Sequence, residues 1–353
     1  MRKTMRKEEL LGYFDSEQPK RPSVLRQLLK GKTTSSSLYW GLVYGWLDVI
    51  KMDPNLVNEQ FKQDIADLVQ AGYLTANDDR TVYLTEQGRK YYQEWRHVHW
   101  PLQRTKLFAD YNIERWRVIL RLLVQVCSEF SYANKNYIVV TNDIYAQNQV
   151  RRWFSGQSNK QQVVRQFTQL LRVCLANCNP QEADVFANTL IGHQVNGLTN
   201  AQISQAENID EDDITNIVIN ITNRCLQEWQ GSVVQPLITA VSAGGAVPIA
   251  AQRTYQEFMQ GVPLAKIRQI YHLRQSTVEE HMLDNAIVLD DFPYCHWVSS
   301  ELYEQLKGLA FTGETTIANW RFREAQQLMP ELDFITFRLF QIMYVKGEKD
   351  GSH

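Results

Sequence analysis

Long apolar runs are missing from this sequence. No stretch approaches the ~20 consecutive apolar residues that a helix needs to cross a bilayer, and the basic start MRKTMRKEEL leads into no apolar core of a signal peptide, so a cytoplasmic protein is expected. Cysteine is scarce as well. Cys127, Cys174, Cys178, Cys225 and Cys295 form an odd, scattered set, which argues against a disulfide framework and suits buried reduced thiols. Cys174 and Cys178 lie one helical turn apart, but no Cys or His pair of zinc-finger spacing stands near them, and no metal is expected. Neither sign of charge prevails: 37 Lys and Arg stand against 39 Asp and Glu, a net charge of -2. Any binding to nucleic acid must therefore come from local basic patches. A complete phosphate-binding loop is also missing. Gly31-Lys32-Thr33 resembles the end of one, yet its first glycine would fall at Arg26, and a leucine run stands where the preceding strand should be. No catalytic constellation can be assembled from the scattered Ser, His and Asp residues, so neither an enzyme nor a cofactor is expected.

What is present is the composition of folded, water-soluble protein. The chain has 353 residues, 44% hydrophobic and 22% charged, enough for two or three ordinary domains. The pattern is mainly α: an N-terminal winged helix, a central helical body and a C-terminal helix-turn-helix module. Residues 1–21 are polar and charged and read as a loosely ordered leader. Residues 22–97 read as the winged helix. A short helix runs through Leu25, Leu28 and Leu29, and a second through Leu38, Leu42, Trp46 and Ile50. A third is capped by Asp53, begins with Pro54 and buries Phe61, Ile65 and Leu68. Two short extended runs at residues 73–75 and 81–84 follow, joined by the turn residues 76–80, and Thr85 opens a trailing helix. Lys30, Lys32 and Thr33, at a helix-loop junction, are either a solvated helix end or phosphate contacts, and Asn58, Lys62 and Gln63 on the third helix are further DNA-binding candidates.

Residues 98–241 are helical almost throughout. Ile113, Trp116, Leu120, Leu123, Cys127 and Phe130 line one long helix, Val163, Phe167, Leu170, Leu171 and Cys174 another, and Asn179-Pro180 starts a third. Arg151 and Arg152 stand beside Trp153 and Phe154, a combination that either stacks on single-stranded bases or packs as an amphipathic helix. A second helix-turn-helix-like pattern spans Leu198 to Ile221. Its turn and second helix carry Asp210, Glu211, Asp212 and Asp213, which repel phosphate but favour a helix N-terminus. Residues 242–249 read as a linker.

The strongest pattern lies beyond that linker, within residues 250–347. Tyr255 and Phe258 belong to one helix that Gly261 can close in a left-handed conformation. Leu264, Ile267 and Ile270 mark a second helix, and Val278, Met282 and Ala286 a third that Ser276 is placed to cap. With Val278 and Met282 turned to the core, Ser276, Glu280 and Asp284 point outward, Thr277 and Glu279 flank them, and His281 lies toward the buried side. Lys266, Arg268 and Arg274, with Gln275, Ser276 and Thr277, are DNA-binding candidates; Glu279, Glu280 and Asp284 are partner-binding candidates, because an acidic face opposes phosphate.

These residues, with Trp297-Val298-Ser299-Ser300-Glu301-Leu302-Tyr303 and the segment Leu332 to Leu339, resemble the helicase-associated helix-turn-helix domain of some bacterial RecQ-type helicases and of the YpbB-like proteins of low-GC Gram-positive bacteria. Leu28 to Thr34 and Val140 to Trp153 resemble YpbB-like proteins more loosely. The resemblance implies a nucleoid-associated accessory protein of DNA recombination or repair, working with DNA and with a RecQ-type helicase that supplies the motor. A stand-alone transcription regulator and a protein-interaction scaffold without nucleic-acid contact are the alternatives.

Overall fold

The computed structural model describes residues 5–77, 79–310 and 316–350; residues 1–4 of the expected leader and Asp78 of the expected turn lie outside them. The described chain is mainly α-helical, with one two-stranded antiparallel sheet. It divides into two compact units, each discontinuous in sequence: Met1–Lys20 with Lys51–Ala243, and Arg21–Ile50 with Gly244–His353. This differs from the boundaries read from the sequence, because the first two helices of the expected 22–97 domain cluster with the C-terminal residues and the hairpin does not.

In the first unit residues 5–20 of the expected leader form ordered structure. Helix α1 (Lys7–Leu10) and the 3-10 turn after it bury Met5, Leu10, Leu11 and Phe14, and Lys20 pairs with Val82 as an isolated β-bridge. These apolar residues, overlooked among the charges of the leader, pack on the helices flanking the hairpin. Helices α2 (Pro22–Leu29) and α3 (Ser35–Tyr44) belong to the second unit. The first unit resumes with α4 (Asn58–Gln70), β1 (Leu74–Ala76), β2 (Val82–Leu84) and α5 (Glu86–Val98). Thr75 lies opposite Tyr83 in the hairpin, and the Thr85 hydroxyl accepts from Gly88 N to cap α5, as its sequence signals. Helix α4 starts at Asn58, later than the Asp53-Pro54 signal suggested. The Asp53 carboxylate accepts from Met5 N at 3.4 Å, and Val57 occupies the cap position of α4.

Helices α6 (Leu107–Asp110), α7 (Ile113–Ser131), α8 (Ile144–Ser155), α9 (Lys160–Ala176), α10 (Pro180–Asn188), α11 (Asn200–Glu207), α12 (Glu211–Glu228) and α13 (Gln235–Thr239) complete this unit. Trp116 and Phe167 meet Trp229 edge to face at its core. Helix α12 is the central element: from Asp213 to Asn223 every residue except Thr215 is buried. Its polar residues therefore need partners inside the protein. Asn216, Asn220 and Asn223, spaced four and three apart on one face, supply them by clamping the backbone of residues 100–103. Asn216 donates to Trp100 O (2.8 Å) and Asn220 to Pro101 O (3.0 Å), Asn220 also accepts from Gln103 N (2.8 Å), and Asn223 donates to Gln103 O (3.4 Å).

The second unit joins α2 and α3 to α14 (Ile249–Met259), α15 (Leu264–Ile270), α16 (Gln275–Val288), α17 (Ser300–Ala310), α18 (Phe322–Leu328) and α19 (Phe334–Asp350). The loop-like Gly31-Lys32-Thr33 is a helix-to-helix connection. Gly31 takes φ 66°, its N–H and that of Lys32 bond back to Leu28 O and Gln27 O, and Thr34 with Ser37 caps α3. No strand precedes it among the described residues. Helix α16 is packed by α14, α3 and α19, and Met282 to Ile287 are six consecutive buried residues. The expected 242–249 linker is held at its end, where the Gln252 amide donates to Gly244 O and Val247 O and Val247 is buried.

The first unit also carries a buried ionic centre. Asp213, 1% exposed, accepts from the Arg6 guanidinium, from His99 Nδ1 (2.6 Å) and from Trp100 N (3.0 Å). Burial opposes its charge, but the hydrogen bonds from Arg6, His99 and Trp100 prevail and hold the carboxyl below the usual range. The acidic run thus contains a structural residue as well as the Asp210 cap of α12. A carboxyl depressed in the folded state stabilises above its unfolded pKa of ~4 and loses that contribution as pH falls through the lower folded value. Asp213→Asn should cost the first unit about 3 kcal/mol at neutral pH by taking from Arg6 its buried carboxylate partner and leaving it only Glu9 and Asp210, and the loss should shrink below about pH 4. Thermal unfolding of both proteins across that range is the check, and equal stability at pH 7 would refute the assignment.

Candidate nucleic-acid interface

Within the second unit α14, α15 and α16 form three consecutive helices with short connections. Gly261 takes φ 85°, its N–H bonds to Phe258 O and that of Val262 to Glu257 O, the left-handed closure read from the sequence. The connection from α15 to α16 places a non-glycine residue, His272, at φ 51°. Arg253 lies over the Tyr271 ring at 4.0 Å while the Tyr271 hydroxyl donates to Glu257, so the end of α15 is braced on α14. Ser276 does not cap α16. Arg274 occupies that position without a side-chain bond, and Ser276 lies one residue inside the helix.

The exposed face is formed by α15 and the start of α16. Lys266, Arg268, Arg274, Gln275, Ser276 and Glu280 are exposed, with Thr277 and Glu279 half-buried and Gln275 donating to Glu279 at 2.8 Å. Among the described residues Lys266, Arg268 and Arg274 have no ion-pair partner. Such a face offers three cations and three small polar side chains, with two carboxylates one turn further along. His281 is half-buried and bonds Thr254 Oγ1 at 2.8 Å, as its buried-side placement suggested.

Asp284 is the correction on this helix. It was read as outward, yet it is 6% exposed and accepts from Ser35 Oγ at 2.6 Å, because α3, distant in sequence, packs over that side of α16. It is not available to a partner as a surface carboxylate. With the residues from Met282 onward buried, only the first turns of α16 are open to any ligand.

The N-terminal candidates are divided. Lys30, Lys32 and Thr33 lie in the second unit, and Asn58, Lys62 and Gln63 in the first. On α4 Asn58, Lys62 and Gln63 are exposed, but Lys62 pairs with Glu59 at 3.3 Å and Gln63 donates to Asp67 at 2.7 Å, so this face presents little net positive charge.

Arg151 and Arg152 are both exposed, and their aromatic neighbours have separate roles. Trp153 is buried and donates to Val233 O at 3.0 Å, which makes it structural. Phe154 meets Phe130 edge to face and borders a cavity of about 380 Å3 between α7, α8 and residues 135–139. Lys135, Arg151 and Lys160 line this mostly apolar space, as does Tyr137, and no carboxylate does. Sequence reading missed Lys160, which begins α9, and Lys135 and Tyr137, whose loop a buried glutamine folds back: Gln125 donates to Ile138 O and accepts from Val140 N, each at 2.9 Å. No local signal marks that closure.

A mainly helical chain with no extensive sheet and with a three-helix, short-turn unit is the class that these observations define. No family model matches the chain, and no solved structure matches it. It is similar to Protein YpbB of Bacillus subtilis (strain 168), with 25% identity over 187 residues, which are 52% of this chain and 53% of that protein. The chain therefore spans about half the length of the curated relative it matches.

The electrostatics of Asp284 can be tested directly. Burial, against only the Ser35 hydroxyl, raises its carboxyl to about 6. A folded pKa above the unfolded value of ~4 means that the folded state binds the extra proton between those values, so stability falls as pH rises from about 4 to 6, by at most about 3 kcal/mol. Asp284→Asn keeps an acceptor for Ser35 without the charge. Its thermal midpoint should exceed that of the unaltered protein at pH 8 and match it near pH 4; a lower midpoint at pH 8 would show that the carboxylate is wanted.

Proposed function

We propose that this chain is a non-enzymatic accessory protein of DNA recombination or repair that binds DNA and a RecQ-type helicase, with α14 to α16 acting as a helix-turn-helix module. The observation that carries the reading is the exposed face of that module: Lys266, Arg268 and Arg274 without carboxylate partners among the described residues, next to the polar first turn of α16. Cations in this setting bind phosphate by releasing counterions, and the N-terminal residues of the last helix are those that reach base edges in such a module. Glu279 and Glu280 limit affinity for free DNA and suit a basic protein partner. The resemblance of the C-terminal segments to helicase-associated domains supports the helicase as that partner.

The double change Glu279→Lys and Glu280→Lys leaves the buried Val278 and Met282 in place. DNA titrations at two salt concentrations should show tighter binding, with the salt slope steeper by up to about 2, since each new phosphate contact adds ~0.9. Recovery of a RecQ-type helicase by the tagged protein from native cells should fall in the same variant. Weaker DNA binding with helicase recovery intact would mean that the glutamates read bases. If the unaltered protein shows neither salt-dependent DNA binding nor helicase recovery, the scaffold reading replaces this one.

A further inference from the structure

A second concave surface lies in the second unit, and none of its lining residues is a candidate named from the sequence. Arg21, Trp40, Trp320, Arg321 and Arg338 line a cavity of about 660 Å3, within the size range of sites for small ligands. Its charge is one-sided. The cavity contains three arginines and one acidic residue, Glu324, whose carboxylate already accepts from Arg321 N at 3.3 Å.

Two of the guanidinium groups lie over aromatic rings. Arg21 lies 4.8 Å from the centre of the Trp40 ring, and Arg338 lies 4.0 Å from that of Tyr39 and 5.4 Å from that of Phe334. Stacking leaves the in-plane N–H groups of a guanidinium free to bind an oxyanion in bidentate fashion, and it fixes their direction beforehand. Arg338 touches the Tyr39 oxygen, whose own hydrogen goes to Ala318 O at 2.8 Å. Among the described residues it has no carboxylate partner. Desolvation by burial pulls its pKa below the ordinary arginine value. A largely desolvated cation without a counter-ion is costly to keep for packing alone, since apolar side chains of similar size fill space at no such cost.

We propose that this cavity binds a nucleotide through its phosphate monoester, with Arg21, Arg321 and Arg338 on the phosphate and the base against the aromatic wall of Trp40 and Phe322. A phosphate monoester carries close to two negative charges, which answers three arginines against one engaged glutamate better than a single carboxylate does. The aromatic rings suit a flat base, for which stacking is tolerant of sequence. The same chemistry is offered by a free nucleotide and by the 5′-phosphorylated end of a DNA strand. The site does not rest on the DNA-binding role of α14 to α16, and it would remain if that role failed.

Titration calorimetry on the full chain tests it with four probes: thymidine 5′-monophosphate, thymidine, and decathymidylate with a 5′-phosphate or a 5′-hydroxyl. The monophosphate should bind at least about tenfold more tightly than thymidine. Arg321→Gln and Arg338→Gln should each weaken it by about 10- to 100-fold, the value of a charge-assisted hydrogen bond, while thymidine binding and the circular dichroism spectrum stay unchanged. A phosphorylated decamer that binds more tightly than both the monophosphate and the hydroxyl decamer identifies a strand end as the ligand, and no such preference identifies a free nucleotide. Should Arg338→Gln fail to fold, Arg321→Gln decides, because its guanidinium is on an exposed residue. A monophosphate that binds no more tightly than thymidine, or that binds folded Arg321→Gln as well as the unaltered protein, overturns the proposal.

Discussion

Polar side chains on the buried stretch of a helix are stabilised by partners inside the protein, and each unit has at its centre a helix with such a stretch. In α12 the asparagines at 216, 220 and 223 hold the backbone of residues 100–103, and Asp213 accepts from the Arg6 guanidinium, the His99 imidazole and a backbone N–H. In α16 Asn285 donates to Ala251 O at 2.9 Å, and Asp284 accepts only from Ser35. The two aspartates show how far partner number decides the outcome. Three donors outweigh burial and keep Asp213 ionised, whereas one hydroxyl does not, and Asp284 moves up to about 6.

The same burial governs which part of the C-terminal unit can act. Once α3, α14 and α19 surround α16, its later turns are interior, and only the residues from Gln275 to Glu280 with the facing side of α15 remain for a ligand. In the proposed DNA-binding role so short a stretch would leave few side chains for specificity, and phosphate contacts from Lys266, Arg268 and Arg274 would weigh more.

Local signals proved legible where the physics is local. The Thr85 cap, the Asn179-Pro180 start of α10, the hairpin and the Gly261 closure all stand within a few residues of the structure they specify. Reading failed where the partner is remote. The outward placement of Asp284 followed from a single apolar stripe on α16, and nothing near it announces that Ser35 and α3 cover the other side. The leader looked loose because its charges outnumber Met5, Leu10, Leu11 and Phe14, although those four are what it buries. Asp53-Pro54 is a sound helix-start signal, yet Asp53 accepts from Met5 and Val57 occupies the cap position of α4. Of the candidate interface, the exposed cations of α15 and the turn were visible in sequence, because charges at helical spacing opposite an apolar stripe are exposed by default. The three-arginine cavity was not visible, since Arg21 and Arg338 are separated by almost the whole chain.

Near-neutrality of the whole chain conceals this distribution. A net charge of -2 sets the field at long range, but salt screens that field beyond about 10 Å, so a ligand at a concave surface responds to the few charges that line it. The lining of the first-unit cavity has three cations and no carboxylate, and that of the second-unit cavity has three arginines and one engaged glutamate. Their walls differ in kind. The first is mostly apolar with cations at Lys135, Arg151 and Lys160, an arrangement that accepts an apolar body with an anionic edge. The second sets Arg21 and Arg338 over the Trp40 and Tyr39 rings. In the proposed site, side chains already packed against rings would lose less entropy on binding an anion than the exposed cations of α15 would.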